Sequence, residues 1–384
     1  MSPSSRKLSR GLSLIELMVA LLISTLLVLG LMQVFGASRA AYQLSQGMAR
    51  TQENARFAMD YLQRDLRMVG HFGCANDQAR KQTPGSLLSH INSGTAQLDF
   101  VQAVQGYEAT GTAPSNTAVS LTGMTTGWSP ALPGYISGLN PAPNAGSDII
   151  VVRFFDSDGV PVINAAAGQI DVAPARWSVL TQDGVANPGI FGISDCTNAD
   201  VFQASGTNAT TGVLTAQASG GLAASLPDFT RYTASPAGQT MLYRGEAIVY
   251  YIGTRNGADV PSLYRARFGS TPGGALTTAS EELVEGVQNL QILYGQDQSS
   301  NLTALTGNIA TYQTAAALGT TEANWRRVGQ IKVGLIAISP EGAAAEQSLA
   351  GLPIAGVNFT PPADASYRSA YESSIALRNR LYGN

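Results

Sequence analysis

Residues 11–35 read GLSLIELMVALLISTLLVLGLMQVF, and this stretch decides how the rest of the chain is interpreted. No residue between Leu17 and Leu31 carries a charge. From Leu12 onward the apolar run is as long as the roughly 20 residues that a bilayer-spanning helix needs. The stretch therefore predicts one membrane-spanning helix close to the start of the chain.

The residues around this run differ in order from those of a secretory signal peptide. Arg6, Lys7 and Arg10 come first, but the small residue Gly11 precedes the apolar run instead of following it. The run also exceeds the roughly 7–15 residues of a signal-peptide core. Because basic residues tend to remain on the cytoplasmic side of a membrane, we expect the rest of the chain to lie outside the cytoplasm.

Glu16 places a carboxylate near the beginning of the apolar run. An acid at the centre of a membrane helix costs about 2.5–3.5 kcal/mol, and the cost is smaller near the helix end. A residue that carries such a cost usually has a partner or a function. The alternative is a stray acid in an ordinary single-span anchor.

The segment Arg10-Gly11-Leu12-Ser13-Leu14-Ile15-Glu16 resembles the N-terminal motif of the type IV pilin family. The resemblance implies that a prepilin peptidase cuts after Gly11 and methylates the new N-terminus at Leu12, where Phe is the usual residue. It also implies that Glu16 pairs with the N-terminal amine of a neighbouring subunit and sets the register of assembly. Such a pair is plausible physically, because opposite charges attract strongly in a low-dielectric layer and each is costly alone.

One long helix is predicted over residues 12–69, with a membrane and assembly half over 12–36 and an amphipathic half over 37–70. In the second half apolar residues recur at three- or four-residue steps, which is the spacing of one helix face. Gly70 and Gly73 are typical of a helix end. We expect the amphipathic half to pack on a sheet.

Beyond the helix the pattern indicates strands separated by long polar inserts. The segment 148–155 (DIIVVRFF) is the clearest strand, because β-branched and aromatic residues favour strands. The other predicted strands are residues 98–104, 247–252, 263–268, 283–294 and 328–339, and the segment 367–381 fits a helix or a strand. The inserts over residues 106–147, 203–240 and 299–324 are expected to be irregular surface loops.

Composition is consistent with an exported, loop-rich β protein. The chain has 384 residues, a formal net charge of −3 and only 13% charged residues, well below the usual one quarter. No basic stripe indicates binding to nucleic acid. Residues 71–384 suffice for one large domain or two small ones, and we expect one β-rich globular domain, periplasmic or extracellular.

The chain has two cysteines, Cys74 and Cys196. The even number and the oxidising compartment outside the cytoplasm favour a disulfide between them. The alternative is a pair of free buried thiols. No CxxC or Cys/His spacing indicates a zinc site.

A second resemblance is carried by six later segments, at residues 53–58, 62–67, 70–74, 283–295, 333–339 and 377–380. These segments resemble the PilW family of minor pilins and their relative, the J-type minor pseudopilin of type II secretion. This resemblance implies a low-abundance subunit at or near the pilus tip that helps to prime assembly. It also implies partners: other minor pilins, the major pilin, the prepilin peptidase, the inner-membrane assembly platform and a tip adhesin.

Motifs for chemistry are few. His71 and His90 lack a recognisable nucleophile motif, and we expect neither catalysis nor a cofactor. Asp156 and Asp158 precede Gly159 and could begin a calcium loop, but the bidentate acid expected later in such a loop is replaced by Ala167. A turn explains these residues equally well.

The sequence thus predicts an α+β, type IV pilin-like fold, in which a long N-terminal helix packs on a mainly antiparallel sheet. The protein would sit in the bacterial inner membrane as a single-pass chain with its N-terminus in the cytoplasm, and then enter a pilus at the cell surface. Three alternatives remain: a minor pseudopilin of type II secretion, a membrane-anchored surface-binding protein that acts alone, and a membrane-tethered hydrolase.

Overall fold

A computed structural model of the chain describes residues 13–74, 87–116, 118–258, 260–299, 301–302, 305–339, 343 and 351–380. Its dominant helix, α1, spans Leu14–Met68, which at 1.5 Å per residue is about 80 Å. Ser13 caps its first turn, and Gly70 follows its end with a positive φ of 74°. The predicted long helix is confirmed within the described residues. The shorter helices are α2 Gly134–Ser137, α3 Trp177–Leu180, α4 Ala315–Leu318 and α5 Glu322–Arg326.

Strands make up most of the body. In chain order they are β1 Leu87–Ser89, β2 Val104–Ala109, β3 Val119–Ser120, β4 Trp128–Ser129, β5 Ile149–Phe155, β6 Val160–Ala166, β7 Gln169–Val172, β8 Ile190–Ser194, β9 Ala199–Asn208, β10 Val213–Ala216, β11 Met241–Gly253, β12 Ser262–Ser270, β13 Leu276–Glu285, β14 Val287–Asp297, β15 Ile309–Gln313, β16 Val328–Ile338, β17 Leu352–Ile354, β18 Val357–Thr360 and β19 Arg368–Ala376. Among the described residues they form sheets of 12, four and three strands. Nearly all pairs are antiparallel, apart from β1 with β9 and β3 with β18.

Strand β11 connects two parts of the largest sheet. Its first residues, 241–244, pair with β8, and residues 241–242 also pair with β6. Its later residues, 245–250, pair with β5, and residues 247–253 pair with β12. One 13-residue strand therefore runs through both halves of the sheet.

Each part of the body has its own apolar core. The main core joins α1 to β5, β11, β14 and β16 and includes Leu62, Leu66, Val152 and Tyr250. A second core, built around Trp177, Phe191, Phe202 and Phe229, lies between strands from residues 160 to 242. A third, small core contains Ile336, Ile354, Val357 and Phe359. Burial of these large side chains, at about 25 cal/mol per Å² of apolar surface, is the main force that holds the body together.

The fold class predicted from the sequence is confirmed, but several element boundaries are not. Residues 98–104 were expected to form a strand, whereas Ala96–Leu98 is a 3-10 helix and β2 begins only at Val104. Residues 283–294 contain two strands instead of one, because Gly286 has a φ of 77° and separates β13 from β14. The C-terminal segment is the strand β19, which pairs with β16.

The polar inserts are also more regular than expected. Residues 203–240 contain most of β9 and all of β10, and residues 299–324 contain β15 and α4. In β10 only Leu214 is fully buried, and β15 is exposed or half-buried and lies at the edge of its sheet. Composition alone gives little signal for such strands.

Candidate assembly site

The first turn of α1 is held by a reciprocal pair of hydrogen bonds. The Ser13 N–H donates to Glu16 Oε2 at 2.9 Å, and the Glu16 N–H donates to Ser13 Oγ at 3.3 Å. This capping box satisfies two of the backbone donors that a helix start leaves free. Glu16 is exposed, and its carboxylate lies at the positive end of the helix dipole. The predicted cleavage and methylation residues, Gly11 and Leu12, lie outside the described residues.

The next part of α1 presents apolar side chains to its surroundings on every face. All large hydrophobic residues from Leu14 to Phe35 are exposed, and the apolar window of the helix has no residue buried within the molecule. Its hydroxyl groups are satisfied internally: Ser24 Oγ donates to the Ala20 carbonyl at 2.7 Å, and Thr25 Oγ1 donates to the Leu22 carbonyl at 2.8 Å. A helix with these properties is suited to lipid or to apolar neighbouring helices.

The second half of α1 is fixed to the body by close contacts. Gly47 lies so near Ala343 that an added Cβ would be 2.6 Å from the Ala343 Cβ. Thr51 Oγ1 donates to the Gly47 carbonyl at 2.8 Å, and Asn54 Nδ2 donates to the Glu285 carbonyl at 2.9 Å. The helix therefore meets the body from about residue 47 onward, while its apolar half stands free of it.

A buried acid joins the far end of α1 to the sheet, and the sequence interpretation did not assign it this role. Asp65 accepts a hydrogen bond of 2.5 Å from the Tyr250 hydroxyl, and its Oδ2 lies 3.6 Å from Arg265 Nη1. Arg265 also pairs with Glu281 at 2.8 Å. Burial raises the pKa of Tyr250 well above its ordinary value, and the Asp65 charge adds to this shift, so the phenol remains a donor. The sequence signal was available, because Asp65 follows Leu62 by three residues and therefore falls on the apolar face.

This ion pair lies at the edge of a polar cavity of about 280 Å³ between α1 and the sheet. Arg244 lines it and pairs with Asp156 at 2.6 Å and with Glu246 at 2.5 Å. Arg267 pairs with the other oxygen of Glu246 at 3.0 Å. The charges that line the cavity are thus matched in pairs, which offsets the cost of removing them from water.

Asp156, one of the two candidate calcium residues, belongs to this network of ion pairs. Asp156 pairs with Arg244, and its Oδ1 accepts the Ser157 N–H at 2.7 Å. Asp158 is exposed in the short link between β5 and β6. Among the described residues, no group of three or more His, Cys, Asp or Glu side chains could hold a metal ion. The four residues 156–159 connect β5 to β6.

The predicted disulfide is confirmed. Cys74, six residues beyond the end of α1, is bonded to Cys196, which lies between β8 and β9. The bridge closes a sequence separation of 122 residues. It ties the region just after the helix to the part of the sheet that carries the second core.

Comparison with known families agrees with this geometry. The model of the prokaryotic N-terminal methylation motif matches residues 6–32, which include Gly11, Leu12 and Glu16. The chain is therefore a type IV pilin-like protein with a prepilin-type N-terminus. The model of PilW, Type IV Pilus-assembly protein W, matches residues 249–379, about one third of the chain, and supports the resemblance to the minor pilins of this family. No curated protein and no solved structure matches the chain.

Proposed function

We propose that this chain is a minor, low-abundance pilin that helps to prime assembly of a type IV pilus and sits at or near its tip. The observation that carries the proposal is the position of Glu16. It is the one acid in the first turn of an exposed apolar helix, within the methylation motif. The description of the PilW family favours the pilus over the secretion pseudopilus as the destination.

In this proposal, assembly exchanges one partner of Glu16 for another. Before assembly the carboxylate is held by the N–H of Ser13 in its own chain. Cleavage after Gly11 frees the amine of Leu12, which is then methylated by transfer from a methyl donor and stays positively charged. This amine of one subunit pairs with the Glu16 carboxylate of its neighbour. Between packed apolar helices this attraction is much stronger than in water, because the local dielectric constant is low. The charge pair sets the register, and the apolar surface of α1 supplies most of the cohesion.

The size and position of the body support a place at the tip. The body carries sheets of 12, four and three strands, and it has a second core in addition to the core that packs on α1. The second core lies within residues 160–242, outside the stretch that matches PilW. A body this large is difficult to accommodate within a shaft of repeating subunits, whereas a terminal subunit has free space on one side. Other minor pilins and a tip adhesin are the proposed neighbours, and we propose no enzymatic activity.

A charge-only substitution tests the role of Glu16. Glu16→Gln keeps a side-chain oxygen that can accept the Ser13 N–H, so the capping box is retained while the charge is lost. We expect membrane insertion to be unchanged and recovery in sheared fibres to fall at least about tenfold, which corresponds to about 1.4 kcal/mol. Ser13→Ala is the control, because it removes the cap hydroxyl but keeps the carboxylate. Recovery of Glu16→Gln at the level of the unaltered chain would contradict the proposal.

Labelling tests the position in the fibre. Both native cysteines are in the disulfide, so Thr210→Cys, in an exposed turn between β9 and β10, introduces a single reactive thiol. Thiol-specific gold should mark fibre ends in electron micrographs. Uniform labelling along the shaft would contradict a tip position, and mass spectrometry of the same fibres should show Leu12 as the first residue.

A further inference from the structure

Strand β13, Leu276–Glu285, is an edge strand that is open on one side. It pairs with β12 along its whole length, and no strand pairs with its other side in the part of the chain that the structure describes. All six residues from Thr277 to Glu282 are exposed, so the strand is uncovered on both faces. It contains no Pro, and its N-terminal half has no charge. Soluble proteins usually protect such an edge, because its free backbone N–H and C=O groups can pair with another chain.

The edge also adjoins a groove that could receive side chains. Ser280 and Glu282, which point to the same face of β13, line a groove of about 860 Å³. Its other walls are the segment 139–145 and residues 254–256, which contribute the amides of several asparagines. When a strand adds to a sheet edge, main-chain hydrogen bonds provide affinity and pockets for alternate side chains provide specificity. The open edge of β13 supplies the main-chain hydrogen-bonding groups, and the groove supplies a pocket for side chains.

The position of β13 indicates where the added strand would come from. Its last residue, Glu285, accepts a hydrogen bond from Asn54 on α1 at 2.9 Å. The open edge is therefore continuous with α1, the element through which a pilin contacts its neighbours in the proposed function. A subunit packed beside α1 is thus within reach of β13.

The charge of β13 indicates the chemistry of the partner. The strand carries Glu281, Glu282 and Glu285 and no basic residue. Glu281 is paired with Arg265, and Glu282 lies 3.7 Å from the exposed Arg255. Glu285 forms no ion pair within the described residues. An excess of negative charge at this end of the strand favours Lys or Arg on the strand opposite, since opposite charges stabilise cross-strand pairs.

We propose that β13 is a docking site for an extended, basic segment of a neighbouring pilin subunit, which adds to the largest sheet as a further strand. The proposal rests on the proposed function, because it requires the chain to have pilin neighbours. It names the surface outside α1 through which this subunit recognises one of them.

Two proline variants of the full chain test the edge. In a strand, consecutive N–H groups point to opposite sides, so of Thr278 and Ala279 one N–H faces β12 and the other faces outward. Proline has no N–H, so of the variants Thr278→Pro and Ala279→Pro one loses a backbone hydrogen bond to β12. The other loses only the N–H that would bond the added strand. The variant that retains the thermal stability of the unaltered chain should lose its partner contact at least about tenfold.

The partner contact is measured by photo-crosslinking in cells that assemble fibres. A photoreactive residue is placed in turn at each position from 277 to 280, with Asn208, the exposed last residue of β9, as the background control. We expect adducts with another pilin subunit, in which the crosslinked residue shifts by about one position for each step along β13. Four results would overturn the proposal. They are the absence of any adduct, an adduct without this shift, an adduct with a second copy of this chain, and an adduct with a protein that is not a pilin.

Failure of this proposal can be distinguished from failure of the proposed function. If the chain is not a pilus subunit, the unaltered protein will be missing from sheared fibres. If only the β13 proposal is wrong, the unaltered protein will be present, and the stable proline variant will form the same adducts at the same yield.

Discussion

The hydroxyl of Tyr250 donates a hydrogen bond of 2.5 Å to Oδ2 of Asp65, and this contact joins α1 to β11. Both side chains are buried. Arg265 balances the charge of Asp65, so a charged hydrogen bond can persist inside the main core. A polar contact of this kind has a defined direction, whereas the surrounding apolar packing has none. The hydrogen bond between Tyr250 and Asp65 therefore fixes the rotation of α1 on the sheet.

Tyr250→Phe tests this contact. The substitution removes only the hydroxyl and leaves Asp65 with one hydrogen-bond donor fewer, so we expect unfolding free energy to fall by about 1.5–3 kcal/mol. Urea denaturation of the detergent-solubilised chain measures this change. Tyr312→Phe is the matched control, because the Tyr312 hydroxyl donates to Gln330 at 2.6 Å on the exposed side of β15. We expect this substitution to lower the unfolding free energy by no more than about 0.5 kcal/mol. Equal losses in the two variants would show that Asp65 does not fix the helix.

Gly286 marks a junction that only glycine fits well. Its φ is 77°, and an added Cβ would lie 2.8 Å from the carbonyl oxygen of Ile338. We expect Gly286→Ala to reduce the unfolding free energy by about 1–3 kcal/mol, because it combines a strained backbone with a steric clash. Gly269→Ala, in β12, is the control, since nothing lies within 4 Å of its added Cβ. Thermal denaturation of both variants checks the prediction, and an unchanged midpoint for Gly286→Ala would contradict it.

Strong local patterns made the helix and the central strands predictable from sequence. The apolar run and its continuation along one face determine α1, and DIIVVRFF determines β5. The junction at Gly286 was missed because residues 283–294 are apolar enough to be one strand, and only the backbone angle of one glycine separates the two. The second core was missed because its strands are short and its large residues are far apart in sequence.

The residues of the candidate site likewise fall into those that the sequence predicted and those that it did not. The motif around Glu16 and the pairing of the two cysteines follow from local order and from an even count. The Asp65–Tyr250–Arg265 contact depends on residues up to 200 positions apart, and no local pattern reveals which of them meet. The ion pair of Asp156 with Arg244 could not be predicted either, because the two residues are 88 positions apart in the sequence.

Glu108 and Asp148 predict an unusual dependence of stability on pH. Burial raises the pKa of Glu108 to about 10, and the neighbouring Asp148 charge adds to the shift. Burial also raises the pKa of Asp148, which accepts the N–H groups of Ala109 and Ile292. Because both pKa values are raised in the folded protein, the stability that the pair contributes is fully present below the ordinary carboxyl pKa of about 4. It is lost progressively as the pH rises toward 10.

Glu108→Gln isolates this effect. The variant cannot ionise at position 108, so its stability should decline less with pH than that of the unaltered chain. At pH 8 we expect it to be more stable by at least about 1.4 kcal/mol, the equivalent of one pKa unit. Asp364→Asn is a control of opposite sign, because hydrogen bonding to Arg368 lowers the pKa of Asp364, whose contribution is lost as the pH falls. Parallel stability curves for Glu108→Gln and the unaltered chain would contradict the prediction.

The disulfide predicts how the body responds to reduction. A bridge that spans 122 residues restricts the unfolded chain strongly, and we expect its loss to reduce the unfolding free energy by about 2–5 kcal/mol. The double variant Cys74→Ser, Cys196→Ser and the unaltered chain treated with dithiothreitol should lose the same amount in urea denaturation, because both lack the same cross-link. Dithiothreitol should not affect the double variant, which controls for effects of the reductant elsewhere. A loss below about 1 kcal/mol would mean that the contacts after α1 already hold this region in place without the covalent bond, and that the bridge contributes little to the equilibrium stability of the body.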